Sequence, residues 1–169
     1  MLGNSNAHKE SIKTTYLSAR EGKFVVTTGE HKGEEYDYID GNLLRIEKRI
    51  RQFGTEAVPY FYVDMADSTT GERYTLTFPY SSGVFKSLLL SLASSKSLST
   101  ESVVRIDIYR KGEFTKLVVW EDGLKLDWVT KELPPVKSLN VGGKRVIDDR
   151  ERMAKIESYI PQVNNLLRA

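Results

Sequence analysis

Hydrophobic and polar residues alternate along three consecutive stretches, residues 43–53 (LLRIEKRIRQF), 59–67 (PYFYVDMAD) and 73–80 (RYTLTFPY). A period of two is typical of strands with one buried face, and the polar turns between the stretches predict antiparallel pairing. Lys48 is a charged residue within the apolar row of the first stretch. The residues predicted to face the core are Leu44, Ile46, Ile50, Phe61, Val63, Met65, Tyr74, Leu76 and Phe78.

The pattern then changes to helical spacing in residues 81–96, where Ser81 or Ser82 can cap the helix. Alternation resumes in 101–112 and 113–123, and 124–129 can add a short strand. The order β-β-β-α-β-β is that of an OB-fold, a five-stranded barrel with a helix between its third and fourth strands. We therefore predict a mainly β protein with an OB-fold-like barrel.

The barrel is predicted to span residues 36–131, with a first strand that bends at Gly41 to serve two sides. Residues 1–35 predict a polar start and a β-hairpin that forms a peripheral extension. Prolines and glycines in 132–146 predict a linker. Residues 147–169 predict a C-terminal helix, and Asp148 with Glu151 fits a capping box.

The C-terminal helix carries one apolar stripe, formed by Met153, Ile156 and Ile160. Pro161 is expected to end or kink the helix. The stripe must cover an apolar surface. The sequence leaves open whether that surface belongs to the same chain, a second copy or a replication protein.

Composition narrows the choice of function. The chain has 169 residues, of which 40% are hydrophobic and 28% charged, as in one compact domain. It contains no cysteine, which excludes disulfides and zinc-thiolate sites. No apolar run reaches the ~18 residues of a membrane helix, and the start lacks a signal peptide, so we expect a cytoplasmic protein without membrane contact. The net charge of +2 does not identify a partner.

Residues suited to catalysis are scattered. His8 and His31 lie in polar segments without a metal-ligand spacing, and Asp148-Asp149 is explained by helix capping. Gly142-Gly143-Lys144 lacks the remaining residues of a phosphate-binding loop. We expect no enzyme activity, no metal and no cofactor.

The outward faces of the first three predicted strands combine cations with aromatic rings. Single-stranded nucleic acids bind cations along their phosphates and stack their bases on flat side chains, and arginine serves both purposes. Trp120 is a further stacking candidate, whereas Trp128 is assigned to the core. The predicted nucleic-acid-binding residues are Arg45, Lys48, Arg49, Arg51, Tyr60, Tyr62, Arg73 and Trp120.

The same face has a second interpretation. Arg-Tyr pairs stabilise exposed sheets, and Glu47 and Asp64 can neutralise the arginines. Tyrosine and arginine are also common in protein interfaces. The alternative function is therefore a β-barrel that binds protein, such as a phage structural or adaptor module.

Several stretches together resemble phage-type and mobile-element single-stranded DNA-binding proteins with an OB-fold. They are YDYIDGNLLRIEKR, PYFYVDMAD, GERYTLTFPY and GVFKSLLLSL. The resemblance covers roughly residues 36–128 and rests on strand order and a few residues such as Gly41 and Asp67. It implies sequence-tolerant binding of single strands in replication or recombination. The chain ends in NNLLRA rather than in the acidic tail of the best-known bacterial versions. We expect single-stranded DNA as the partner, and the residues leave RNA open.

Overall fold

The computed structural model describes residues 13–129 and 133–169. The polar start with His8 and the predicted boundary at 131–132 lie outside these ranges. The strands and helices are β1 (Thr14–Arg20), β2 (Lys23–Val26), β3 (Glu35–Tyr36), β4 (Tyr38–Phe53), β5 (Glu56–Ala66), β6 (Arg73–Pro79), α1 (Gly83–Ala93), β7 (Val103–Lys111), β8 (Phe114–Glu121), β9 (Leu124–Lys125), β10 (Lys137–Val141), β11 (Lys144–Asp148) and α2 (Arg150–Arg168).

Most strands form one open nine-stranded sheet in the order β3-β2-β1-β6-β5-β4-β7-β8-β9. The expected mainly β architecture is confirmed. The predicted strands of the barrel are present in order, with α1 between β6 and β7. Ser82 caps α1, because its hydroxyl accepts a hydrogen bond from the Phe85 amide at 3.2 Å. A closed five-stranded barrel is not seen, because β6 pairs with β1 and not with β8.

The hairpin β1–β2 is part of this sheet, so its prediction as a peripheral extension is wrong. β1 runs parallel to β6, with Leu17 opposite Leu76. Leu17 and Phe24 are almost fully buried, and this burial stabilises the hairpin against the core. The turn also approaches β7 closely. Gly22 has a φ of +79°, and a Cβ there would lie 2.7 Å from the backbone nitrogen of Arg110.

The long strand β4 serves two neighbours, as predicted: its first residues pair with β7 and the rest with β5. At the change of partner, Gly41 packs against the Ala66 carbonyl, where a side chain would clash. A bulge between Leu43 and Arg45 shifts the register. As a result, Leu44 is only partly buried and lines an outer cavity, which corrects its assignment to the core.

The core predicted from alternation is otherwise largely present. Ile46, Phe61, Val63, Met65, Leu76 and Phe78 are all at most 1% exposed. Tyr74 is only partly buried. Ile50, however, is 59% exposed, because the end of the β4–β5 hairpin extends beyond the layer that α1 and α2 cover. The assignment of Ile50 to the core is therefore wrong.

Helix α2 covers the chain's own core, which answers the question left open by its apolar stripe. Met153 and Ile156 are buried in the common core, and Ile160 packs partly buried against it. The helix continues through Pro161 to Arg168, and Val163 and Leu167 beyond the proline remain buried. Of the two predicted effects of Pro161, an end or a kink, the end is wrong.

The same helix also satisfies backbone groups of β4. Asn164 accepts a hydrogen bond from the Ile46 amide at 2.9 Å and donates one to the Ile46 carbonyl at 2.8 Å. The side-chain amide thus occupies an edge of β4 at which no strand of the described residues pairs. At the other end, the N-cap of α2 is Asp149 without a side-chain hydrogen bond, so the predicted capping box is absent.

The segment between the sheet and α2 differs from its prediction. Within the expected linker, β10 and β11 form a separate antiparallel hairpin. Trp128 is 51% exposed, so its assignment to the core is wrong. The sheet ends at Lys125, and the chain then follows α1, where the Val129 amide donates to the Leu90 carbonyl at 3.2 Å. Among the described residues, no helix is long and apolar enough to cross a membrane.

Candidate nucleic-acid interface

The β4–β5 hairpin projects beyond the core as an arm. We call residues 48–60 the distal arm; its residues 48–57 are all exposed. Alternation along β4 continues into the arm, so Arg49, Arg51 and Phe53 share the outer face of the sheet. On β5, Tyr60 lies directly opposite Arg49 in the register. The arm therefore displays arginine and aromatic side chains together.

Three side chains near the end of the arm form what we call the tip cluster: Arg51, Phe53 and Tyr60. The Arg51 guanidinium lies 4.7 Å from the Tyr60 ring centroid and 5.2 Å from that of Phe53. The two rings are 5.9 Å apart and tilted by 43°. Phe53 is 47% exposed. Within the described residues, Arg51 forms no ion pair with a carboxylate.

The predicted stacking residue Tyr62 lies in a different environment. Its side chain is only 8% exposed, and the Arg49 guanidinium lies 4.8 Å from its ring centroid. The Arg49 guanidinium thus covers the Tyr62 ring, and the ring has little contact with solvent. Tyr60 and Tyr62 are two residues apart on one strand, but only Tyr60 lies beyond the edge of the core.

Carboxylates neutralise part of the predicted basic face, as the alternative interpretation anticipates. Glu47 lies 2.7 Å from Arg49, and Arg45 contacts both Glu47 at 3.4 Å and Asp64 at 3.2 Å. The hydrogen bond from Arg49 lowers the pKa of Glu47. These pairs hold the arginines in place, and they also reduce the positive charge next to the core.

The face continues from these pairs into a cavity of about 580 Å³, which we call the basic cavity. Arg45, Arg49 and Arg73 line it together, so the structure brings three of the predicted residues to one site. Asp64 is the carboxylate in its wall. Tyr16 also lines the cavity and is 37% exposed. The hydroxyl of Thr75 donates to Asp64 at 2.7 Å, which orients this carboxylate.

Tyr74 forms another part of the wall of the basic cavity. Its hydroxyl donates to Glu72 at 2.9 Å. Burial, with a smaller contribution from this hydrogen bond, raises the pKa of Tyr74 to about 12. The phenol therefore stays protonated throughout the physiological range.

Lys48 does not belong to this face. Alternation turns it toward α2, where its Nζ lies 3.1 Å from Glu157 and 5.1 Å from the Tyr80 ring centroid. Burial and the Glu157 carboxylate raise the pKa of Tyr80 to about 12. Its ammonium group links β4 to the C-terminal helix, away from the arginines with which it was grouped, and its contact with nucleic acid stays a prediction.

Trp120 lies on the outer face of β8 and not among the tip cluster. Its indole Nε1 donates to Asp107 at 2.8 Å. Arg105 contacts the same Asp107 at 3.0 Å and lies 4.0 Å from the Tyr38 ring centroid. Trp120 is thus part of a second cluster around Asp107.

Phe53 and Tyr16 belong to the candidate interface but were not among the predicted binding residues. Phe53 continues the outward row of β4, so the alternation itself could have found it. Tyr16 reaches the basic cavity through the parallel pairing of β1 with β6, which no local pattern indicates.

The described residues contain no group of three or more metal-ligating side chains. The cations and exposed rings are suited to binding an extended anion that also carries flat groups. Comparisons with protein-family models, with curated proteins and with solved structures found no match to this chain.

Proposed function

We propose that the protein binds single-stranded DNA, without catalysis and with little sequence preference, along the outer face of β4–β6. The observation that carries this proposal is the tip cluster, in which the Arg51 guanidinium lies over both the exposed Phe53 ring and the partly buried Tyr60 ring. Bases stack on such rings for about 1–3 kcal/mol each. The arginine adds a cation that has no carboxylate partner within residues 13–129 and 133–169.

The dimensions of the face fit a short stretch of extended strand. From Arg45 to Phe53, β4 rises about 26 Å at roughly 3.3 Å per residue. This length connects the tip cluster to the basic cavity. Proteins with OB-folds contact about 4–16 nucleotides each. Phosphates would contact Arg49, Arg51 and Arg73, while bases stack on Phe53 and Tyr60.

The strand order supports the proposal. The pairing β6-β5-β4-β7-β8, with α1 after β6, follows the OB-fold order, and β1–β2 lies beside the third strand of this unit. We propose an OB-fold variant opened by this added hairpin. In OB-folds, the second and third strands with their flanking loops bind oligonucleotides. These strands correspond to β5 and β6, which form part of the proposed face.

The test is fluorescence anisotropy of a labelled oligothymidine at two salt concentrations, with duplex DNA and oligouridine as competitors. We expect binding that weakens with salt, since counterions are released from the phosphates. Duplex should compete poorly. The oligouridine arm determines whether the 2′-hydroxyl affects binding.

The decisive variant is Phe53→Ala/Tyr60→Ala. We expect at least a tenfold loss of affinity, from about 1–3 kcal/mol per stacked base. The matched control is Tyr109→Ala/Phe114→Ala, which removes two exposed aromatics from the β7–β8 hairpin. Equal losses in both variants, or no binding by the unmodified protein at low salt, would contradict the proposal. The second result would favour a protein partner for the tip cluster.

A further inference from the structure

The β10–β11 hairpin exposes an apolar face. Leu139 lies opposite Val146, and Val141 is on the same side of the hairpin. Their exposed fractions are 45%, 45% and 61%. A separate two-stranded hairpin is only marginally stable in water. Covering this face would therefore stabilise the hairpin.

The end of the same hairpin is positively charged. A Gly142-Gly143 turn joins the strands, followed by Lys144 and Arg145. Lys144 forms no ion pair with any described residue, and the Arg145 guanidinium donates to the Ser138 hydroxyl at 2.7 Å. By contrast, Lys137 at the base of the hairpin is paired with Glu151 at 2.9 Å. The uncompensated charge is thus at the tip.

A cavity of complementary character lies beside β3, the edge strand of the large sheet. Its volume is about 560 Å³, and we call it the acidic cavity. The rings of Tyr36 and Tyr38, which are 45% and 48% exposed, contribute apolar surface to its lining. The carboxylates that also line the cavity are Glu34, Glu35, Asp37, Asp40, Asp67 and Glu72.

Some of these acids are already satisfied within the chain. Asp37 pairs with Lys23, and Glu34 lies 2.8 Å from His31. Glu35 and Asp40 form no ion pair with any described residue. The acidic cavity therefore offers apolar surface together with unpaired negative charge, and the hairpin offers apolar surface together with unpaired positive charge.

We propose that the β10–β11 hairpin of one copy docks in the acidic cavity of a second copy. Both surfaces are open in the same folded chain, so the hairpin does not fill the cavity of its own chain. Opposite charges select this orientation over hairpin-to-hairpin contact, in which Lys144 and Arg145 would repel their copies. Because the two surfaces differ, the contact is head-to-tail and produces rings or open chains. This docking does not require DNA binding.

The test is the molar mass of the full chain by light scattering across the micromolar range, at low and high salt. We expect association that increases with concentration and weakens with salt. Two charge-reversal variants test the two surfaces one at a time. Lys144→Glu/Arg145→Glu changes the hairpin, and Glu35→Lys/Asp40→Lys changes the cavity. Each variant alone should associate at least about tenfold more weakly.

An equimolar mixture of the two reversed variants supplies the decisive result. In the mixture, each reversed hairpin meets a reversed cavity of opposite charge, so association should return. Leu139→Ser/Val146→Ser, which leaves all charges in place, should weaken association as well. Circular dichroism confirms that each variant is folded. A monomeric unmodified protein, reversals without effect, or folded variants that fail to associate when mixed would each overturn the proposal.

Discussion

The two ends of the β4–β5 hairpin use similar side chains for different purposes. Near the core, Arg49 covers Tyr62, and Glu47 and Asp64 hold the neighbouring arginines. At the far end, Arg51 lies over the exposed Phe53 ring and the partly buried Tyr60 ring, without a carboxylate partner among the described residues. The difference teaches that an Arg-Tyr pair stabilises the fold where a core lies beneath it, whereas beyond the core it is available to a ligand.

The largest effect expected from this comparison is on stability. Tyr62→Ala should lower the free energy of unfolding by about 3 kcal/mol, because it removes a buried ring. Urea unfolding of the unmodified and altered proteins measures the change. Tyr60→Ala is the matched control and should cost clearly less. If Tyr60→Ala destabilises the protein as much as Tyr62→Ala does, the distinction between the two ends fails.

A second variant tests whether the Asn164 side chain stabilises the edge of β4. Asn164→Ala removes both hydrogen bonds to Ile46 and should cost about 2 kcal/mol, because the partly buried backbone groups lose their partners. Asn165→Ala, on the exposed neighbouring position, serves as the control. Thermal unfolding of both variants gives the comparison. Similar melting temperatures for the two would show that the Asn164 contacts do not stabilise the strand edge.

The smallest effect concerns salt dependence. Log affinity falls with log salt, and replacing a cation that contacts phosphate should make this negative slope shallower by about 0.7 for a single strand. Arg51→Gln should do so, whereas Arg45→Gln should change the slope less, because Glu47 and Asp64 already neutralise Arg45. Lys48→Gln, on the opposite side, should leave it unchanged. Equal slopes for the Arg51 and Arg45 variants would contradict the proposal that Arg51 contacts phosphate more strongly than the neutralised Arg45 does.

The strands with alternating sequence could be predicted because one face of each is buried. Phe61, Val63 and Met65 are fully buried and are spaced two residues apart. The central helix was predictable for the same reason: Leu88, Leu89 and Leu92 share one face and are buried. In these elements, local periodicity and tertiary burial agree.

Other features depend on contacts between distant residues, which local patterns do not contain. The bulge between Leu43 and Arg45 reverses the faces of β4, and the alternating pattern of the sequence does not indicate this change. Trp128 continues the apolar row of Leu124 and Leu126, but β9 ends at Lys125, so Trp128 does not lie on a strand. Pro161 is a strong local signal against a helix, and buried residues beyond it outweigh that signal.

The candidate site was predictable in part for similar reasons. Arg51 and Tyr60 follow from alternation, which places them on the outer face. Whether Tyr62 is exposed depends on where the core ends, and the sequence pattern of β5 does not change at that point. Alternation places Lys48 on the face opposite the arginines, but its partner there, Glu157, belongs to a helix more than a hundred residues away and could not be predicted from the local pattern.

The parallel contact between β1 and β6 also sets an order of events during folding. The meander of β4, β5 and β6 joins neighbours in sequence and closes short loops, which form quickly. β1 and β6 are roughly 60 residues apart along the chain, so their pairing must close a much longer loop. We therefore expect the meander to form first, with β6 briefly exposing an unpaired edge until the first hairpin docks. During that interval, the nascent protein would be most prone to aggregation through strand addition.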